Sequence, residues 1–141
     1  MSCNGSGTPC ISGAELRRVE IYRDGRGELG VLDLGAVASW QVKRLFYIRA
    51  ASSETVRAEH AVSANQVILA LSGGVTVDLD NGSQRATVSL SDAAAVLVVS
   101  AGVWLRLRGF QPDTVLLVAS SLSYAETTYY DQPRPELLQT G

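Results

Sequence analysis

The sequence predicts an all-β domain, a sandwich or small antiparallel barrel, and three observations predict it. Short apolar or alternating segments follow one another closely, rich in Val, Leu, Ile and Thr, and their length suits strands rather than helices. Gly, Asn, Asp and Ser punctuate the gaps between them. No helical stretch lies between successive segments, which excludes βαβ units and leaves antiparallel pairing.

Taken in order, residues 28–34 (ELGVLDL), 42–49 (VKRLFYIR) and 55–61 (TVRAEHA) are the first expected strands. Residues 66–71 (QVILAL) and 75–80 (VTVDLD) follow, and Asn81-Gly82 leads into 84–90 (QRATVSL). That Asn-Gly pair is the strongest local hairpin signal, since both residues tolerate the positive φ of a type I′ turn. The series ends with 94–99, 103–108 and 114–120. Residues 11–22 are compatible with a turn or a strand. Residues 124–141 suit a short helix or an extended arm. The domain is therefore expected over 13–130, with a flexible leader at 1–12 and a tail at 131–141.

A chain of 141 residues makes one ordinary domain. Its net charge of −2 argues against a nucleic-acid binder, which would show a basic face. With 46% apolar and only 18% charged residues, the chain has the material for a sizeable core. The first dozen residues lack the charged and apolar regions of a signal peptide. The most apolar run, 93–105, is too short to span a bilayer and is broken by Ser100 and Gly102. These features predict a cytoplasmic protein with Cys3 and Cys10 as reduced thiols. One histidine and two cysteines are a poor donor set for zinc, copper or non-haem iron, so no metal and no cofactor are expected.

Strand alternation sets the first site geometry. Over 56–62, residues 58, 60 and 62 are expected on one face and 57, 59 and 61 on the other. His60, the chain's one histidine, then shares a face with Ala58 and Val62. Periodicity alone reads it as a half-buried histidine satisfied by a backbone group or water.

An ordered set of motifs reads Asp24-Gly25-Arg26-Gly27-Glu28-Leu29, Val42-Lys43-Arg44-Leu45-Phe46-Tyr47-Ile48 and Arg57-Ala58-Glu59-His60-Ala61. It continues through 66–73, Leu79-Asp80-Asn81-Gly82, Gly102-Val103-Trp104 and 113–120, with Tyr124 following. At this spacing the chain resembles the cupin-type dTDP-4-keto-6-deoxyhexose 3,4-ketoisomerases, the WxcM-like family, over about residues 21–130. The resemblance implies an RmlC-like cupin, a small antiparallel β-barrel or jelly roll with short terminal arms. It further implies a homodimer that binds a thymidine-diphosphate sugar in the barrel mouth and moves a carbonyl from C4 to C3 through an enediol, without metal.

Such a reaction needs a group that moves a proton between adjacent carbons and donors that hold the developing enolate oxygen. The resemblance assigns His60 and Tyr47 to the catalytic machinery and Arg26, Arg57, Val62 and Trp104 to substrate binding. By themselves the residues equally allow Arg26 to close a turn, Tyr47 to pack on the wall and Arg57 to be a solvated edge charge. Tyr124, Tyr129 and Tyr130 are read first as packing. One departure stands out: Val62 occupies the place of the family's second histidine, and Ala58 that of a glycine. A metal-binding cupin would need a His-x-His pair where this chain has His60-Ala61-Val62. Two further readings follow from Val62. One is a barrel that accepts an apolar metabolite and steers a cyclisation or isomerisation; the other is a dimeric binding module without chemistry.

Overall fold

The computed structural model describes residues 9–138. In chain order the strands are β1 (Pro9–Ile11), β2 (Ala14–Arg18), β3 (Glu20–Asp24), β4 (Gly27–Val31), β5 (Arg44–Ile48), β6 (Arg57–Val62) and β7 (Gln66–Ser72). They continue with β8 (Val75–Asp80), β9 (Arg85–Leu90), β10 (Ala95–Val99), β11 (Trp104–Arg108), β12 (Val115–Ser120) and β13 (Tyr129–Tyr130). One helical turn, α1 (Leu34–Val37), and a 3-10 turn at Pro135–Leu137 complete the described elements.

Two sheets face each other. One runs β1-β2-β10-β7-β12-β5 and the other β13-β6-β11-β8-β9, with every pairing antiparallel. This is the all-β antiparallel architecture that the sequence predicts. Alternation explains the second sheet: in β8, Val75, Val77 and Leu79 are buried while Thr76, Asp78 and Asp80 are not. Val88 and Leu90 of β9 and Leu105 and Leu107 of β11 join them against Ile68, Leu97, Leu116 and Val118 of the first sheet. Burying this shared face removes most of the apolar surface from water and holds the sheets together.

The strands β7, β10 and β12 are apolar on both faces because both faces are covered. Residues 32–42 fold back over the outer side of the first sheet, where Leu32, Leu34, Trp40 and Val42 pack on Val67, Leu69, Val96 and Ala119. The hairpin β3–β4 stands apart as its own two-stranded sheet. It exposes Tyr22, Leu29 and Val31. At one side of the sandwich β1 meets β9. The strands β5 and β13 are the outermost strands at the other side, and the site described below lies there.

Several expectations are corrected here. Residues 9–12 are not leader: β1 pairs with β2, and Cys10 and Ile11 are only 5% and 2% exposed. Residues 1–8 of the expected leader lie outside the described residues. Cys10 is disulfide-bonded rather than a reduced thiol; Cys3 lies outside the described residues. The segment 11–22 resolves into strands, and the tail takes the extended form over Tyr129–Tyr130 before its 3-10 turn.

Asn81-Gly82 does make a hairpin, but the pairing of Asp80 with Arg85 leaves a four-residue loop instead of a type I′ turn. Gly82 alone of the pair has positive φ, +101°. Asn81 is 1% exposed. Its side-chain oxygen accepts from the backbone N–H groups of Ser83 and Gln84, while its amide donates to the Ser12 carbonyl. An Asn side chain that substitutes for backbone partners in this way favours a longer loop.

Candidate active site at the free edges of the two sheets

His60 sits on β6 opposite Leu105 of β11, which in turn opposes Leu79 of β8. Directly paired residues share a face, so the imidazole points to the interior side of the sheet. Val62 shares that face, as expected, but the alternation breaks one step earlier. The register jumps from Leu105↔His60 to Arg106↔Ala58, which leaves Glu59 as the extra residue of a bulge. Ala58 and Glu59 take φ of +70° and +57°. This is a left-handed conformation that costs a Cβ-bearing residue about 1–2 kcal/mol. The glycine that the resemblance implies at position 58 would adopt it freely. Ala58→Gly is accordingly expected to stabilise the fold by about 0.5–1 kcal/mol once glycine's greater unfolded-state entropy is deducted, read as a rise in denaturation midpoint at constant m.

Around His60 lies a short chain of rings and one cation. Tyr129 of β13 pairs with Val62 and meets the imidazole edge-on, with centroids 5.0 Å apart and planes at 73°. Tyr124 lies 6.4 Å beyond Tyr129. At the other end of this chain of rings, the Arg44 guanidinium of β5 stacks over Phe46 at 4.9 Å and over Tyr124 at 5.6 Å. Two edge strands from opposite sheets are thus bridged by side chains rather than by a ladder. Gln66 and Ser120, whose backbones pair with each other and, through Ser120, with Arg44, are buried at the same end of the first sheet.

The electrostatics suit proton transfer. Burial pushes the His60 pKa below its usual 6.5, because desolvation penalises the imidazolium. The ring is therefore neutral and basic at neutral pH. Neither ring nitrogen of His60 makes a hydrogen bond among the described residues, where the contact of the imidazole is the Tyr129 ring. Arg44 Nε is buried without a hydrogen-bond acceptor. An unmet donor on a cation is costly, and an oxygen ligand that reached the guanidinium would offset part of that cost.

The other residues singled out in the sequence are not gathered here. Tyr47 opposes Leu117 and lies on the outer face of the first sheet, 66% exposed. The alternation that turns Phe46 inward turns Tyr47 outward, where Arg49 stacks on its ring. Trp104 lies on the outer face of the second sheet, with Arg106 over its ring. It lines a groove of about 450 Å³ with Asp78, Asp80, Arg85 and Asp131 that does not include His60. In that groove hydrogen bonds from Arg108 first, and then Arg106 and Thr87, hold the Asp78 carboxyl down at about 2. Arg26 sits at the tip of the β3–β4 hairpin, paired with Asp24, its side chain 92% exposed. Arg57 opens β6 as an exposed residue. Of the six, only His60 and Val62 come together.

Arg44, Phe46 and Tyr129 are the residues the sequence reading did not select as site residues. The first two were legible as one face of β5, since 44, 46 and 48 alternate with 45 and 47. Among the described residues, no cluster of three or more His, Cys, Asp or Glu could hold a metal ion. No helix among them is long and apolar enough to cross a membrane.

Comparison with known proteins agrees with this architecture. A curated relative, the TDP-4-oxo-6-deoxy-alpha-D-glucose-3,4-oxoisomerase of Aneurinibacillus thermoaerophilus, is 33% identical over 110 residues, covering 77% of this chain and 79% of the relative. A double mutant of the QdtA 3,4-ketoisomerase of Thermoanaerobacterium thermosaccharolyticum, solved in complex with TDP, superposes with a TM-score of 0.80 at 26% identity over 86% of this chain and 89% of that one. The WlaRB TDP-quinovose 3,4-ketoisomerase of Campylobacter jejuni shares the fold, with a TM-score of 0.80 at 24% identity, covering 86% and 95% of the two chains. The sequence profile described as WxcM-like, C-terminal matches residues 12–135. With nearly the whole β-body matched in sequence and in shape, the chain belongs to the WxcM-like family.

Proposed function

We propose that the protein is a metal-independent isomerase that shifts the carbonyl of a TDP-linked 4-keto-6-deoxyhexose from C4 to C3 through an enediol. The observation that carries the reading is His60: a neutral imidazole on the interior face, with no hydrogen-bond partner among the described residues and with the Tyr129 ring against it. His60 takes the proton from C3 and returns it to C4, which a single base on one face of the sugar can do. Arg44 holds the negative charge that develops on the enediolate oxygen, an interaction strongest where water is excluded. The activities of the oxoisomerase relative and the QdtA enzyme support this substrate class. The direct test adds purified protein to TDP-4-keto-6-deoxyglucose and follows the 3-keto product by NMR. Conversion well above the buffer rate is expected, and none would sink the reading.

A second reading is favoured by one feature: the residue that shares the face of His60 on β6 is the apolar Val62. A barrel turned over to an apolar metabolite would show thermal stabilisation with such compounds and none with TDP.

We also propose that the chain works as a homodimer in the cytoplasm. The β3–β4 hairpin carries Tyr22, Leu29 and Val31 into solvent, and β5 is an edge strand whose outer face exposes Leu45 and Tyr47. Exposed apolar arms and open edges are covered in stable proteins, and a second copy of this chain supplies both surfaces.

A further inference from the structure

We infer that Tyr129 is the second proton carrier of the site, moving a proton between the two sugar oxygens while His60 moves one between the two carbons. The inference rests on the proposed isomerisation and extends it, because that reaction relocates two protons and one imidazole carries only one of them.

Three observations single out Tyr129. It is the backbone partner of Val62, so its side chain lies on the interior face beside the position where the family resemblance expects a second imidazole. Its ring touches the His60 ring, and no other titratable side chain is in ring contact with that imidazole among the described residues. Its phenol makes no hydrogen bond among the described residues, and the residue is 46% exposed, so the hydroxyl is open to a ligand. Its neighbour Tyr130 pairs with Ala61 and stacks under Arg134 at 4.5 Å. The strand register thus assigns the two tyrosines to opposite faces.

The chemistry balances. In the first half-reaction the C3–H bond breaks, its proton goes to His60, and its electron pair becomes the C3=C4 bond. The C4 carbonyl oxygen takes the phenol proton of Tyr129, giving a neutral enediol, a tyrosinate and an imidazolium. In the second half-reaction the O3–H proton returns to Tyr129 and the C3=O bond forms. C4 then takes the proton from His60. Both side chains are regenerated and no oxidant or reductant is used. Arg44 steadies the partial negative charge that builds on each sugar oxygen before its proton arrives or as its proton leaves.

The test compares wild type, Tyr129→Phe and Tyr130→Phe with TDP-4-keto-6-deoxyglucose, alongside melting curves with and without TDP. Tyr129→Phe keeps the ring against His60 and removes only the hydroxyl. Its kcat is expected to fall about a hundredfold, within the usual range for losing a general acid, with KM within about threefold. The TDP-induced shift in melting temperature should match wild type, and Tyr130→Phe should turn over normally. A Tyr129→Phe kcat within twofold of wild type overturns the inference and leaves the isomerase reading standing. No turnover by wild type overturns the isomerase reading and, with it, this inference. Should Tyr129→Phe melt early, the kcat ratio of Tyr129→His to Tyr129→Phe decides. Recovery of tenfold or more is expected from a restored proton donor, and a ratio near one overturns the assignment.

Discussion

Replacing His60 with Asn is expected to lower kcat for the 4-keto to 3-keto conversion by about 10³-fold or more, within the range for losing a general base that acts on carbon. Asn is nearly isosteric with part of the imidazole and does not titrate, so the ring contact with Tyr129 is weakened while the fold stays intact. The same argument fixes the sign of the pH dependence in the wild type. Burial lowers the His60 pKa, which means the neutral base survives to more acidic pH than a solvated histidine would allow. The acid limb of the kcat/KM profile should therefore fall below 6.5, and His60→Asn should abolish that limb along with the rate. Retention of wild-type kcat by the variant would remove His60 from the mechanism. A limb at 7 or above would contradict the desolvated environment.

Gly102→Ala is expected to be the most damaging single methyl group near the site. Gly102 has φ of +90°. A Cβ there would sit well inside contact distance of the Arg134 carbonyl oxygen and 3.0 Å from the Leu137 Cβ. The backbone cannot yield easily, because Gly102 N–H donates to the Val62 carbonyl at 2.9 Å and Arg134 N–H donates to the Gly102 carbonyl at 2.8 Å. These two bonds tie the end of β6 to the C-terminal segment. Left-handed strain plus the clash should cost about 3 kcal/mol or more. For a domain of this size that corresponds to a fall in melting temperature of roughly 10 °C. Because β13 pairs with β6 just upstream of this tie, the variant should also lose Tyr129 from its place, and kcat with it. A melting temperature within a few degrees of wild type would show that the C-terminal segment contributes little.

Both predictions concern residues whose importance differs in legibility. His60 was legible at once, as the chain's one imidazole within a strand-like segment. Gly102 was legible only as a turn residue, since nothing in its neighbours announces a segment more than thirty positions later crossing over it. The Asn81-Gly82 hairpin was found in the right place with the wrong turn. Local propensity favours the two-residue form, but Asn81 is buried against Ser12 and its side chain takes over backbone hydrogen bonds, which a short turn would not permit. Residues 9–11 read as leader because three residues of strand carry almost no periodic signal. Only their pairing with β2 reveals them.

Short segments with a period of two determine by themselves that this chain builds antiparallel sheets and where most of the strands from β5 to β12 lie, although the expected strand 28–34 stops at Val31 and the bulge takes Ala58 off the face of His60. They cannot say which of two faces is inward, because alternation is symmetric until a second sheet covers one side. Tyr47 and Phe46 are equally good inward candidates in sequence; pairing of β5 with β12, and the second sheet beneath, decide for Phe46 and bring Arg44 in with it. The bulge at Ala58–Glu59 decides how β6 presents His60, and the distant β13 decides that a tyrosine stands next to it. Tertiary structure settles these points because the free energy of burial belongs to contacts between strands far apart in the chain, which no local pattern encodes.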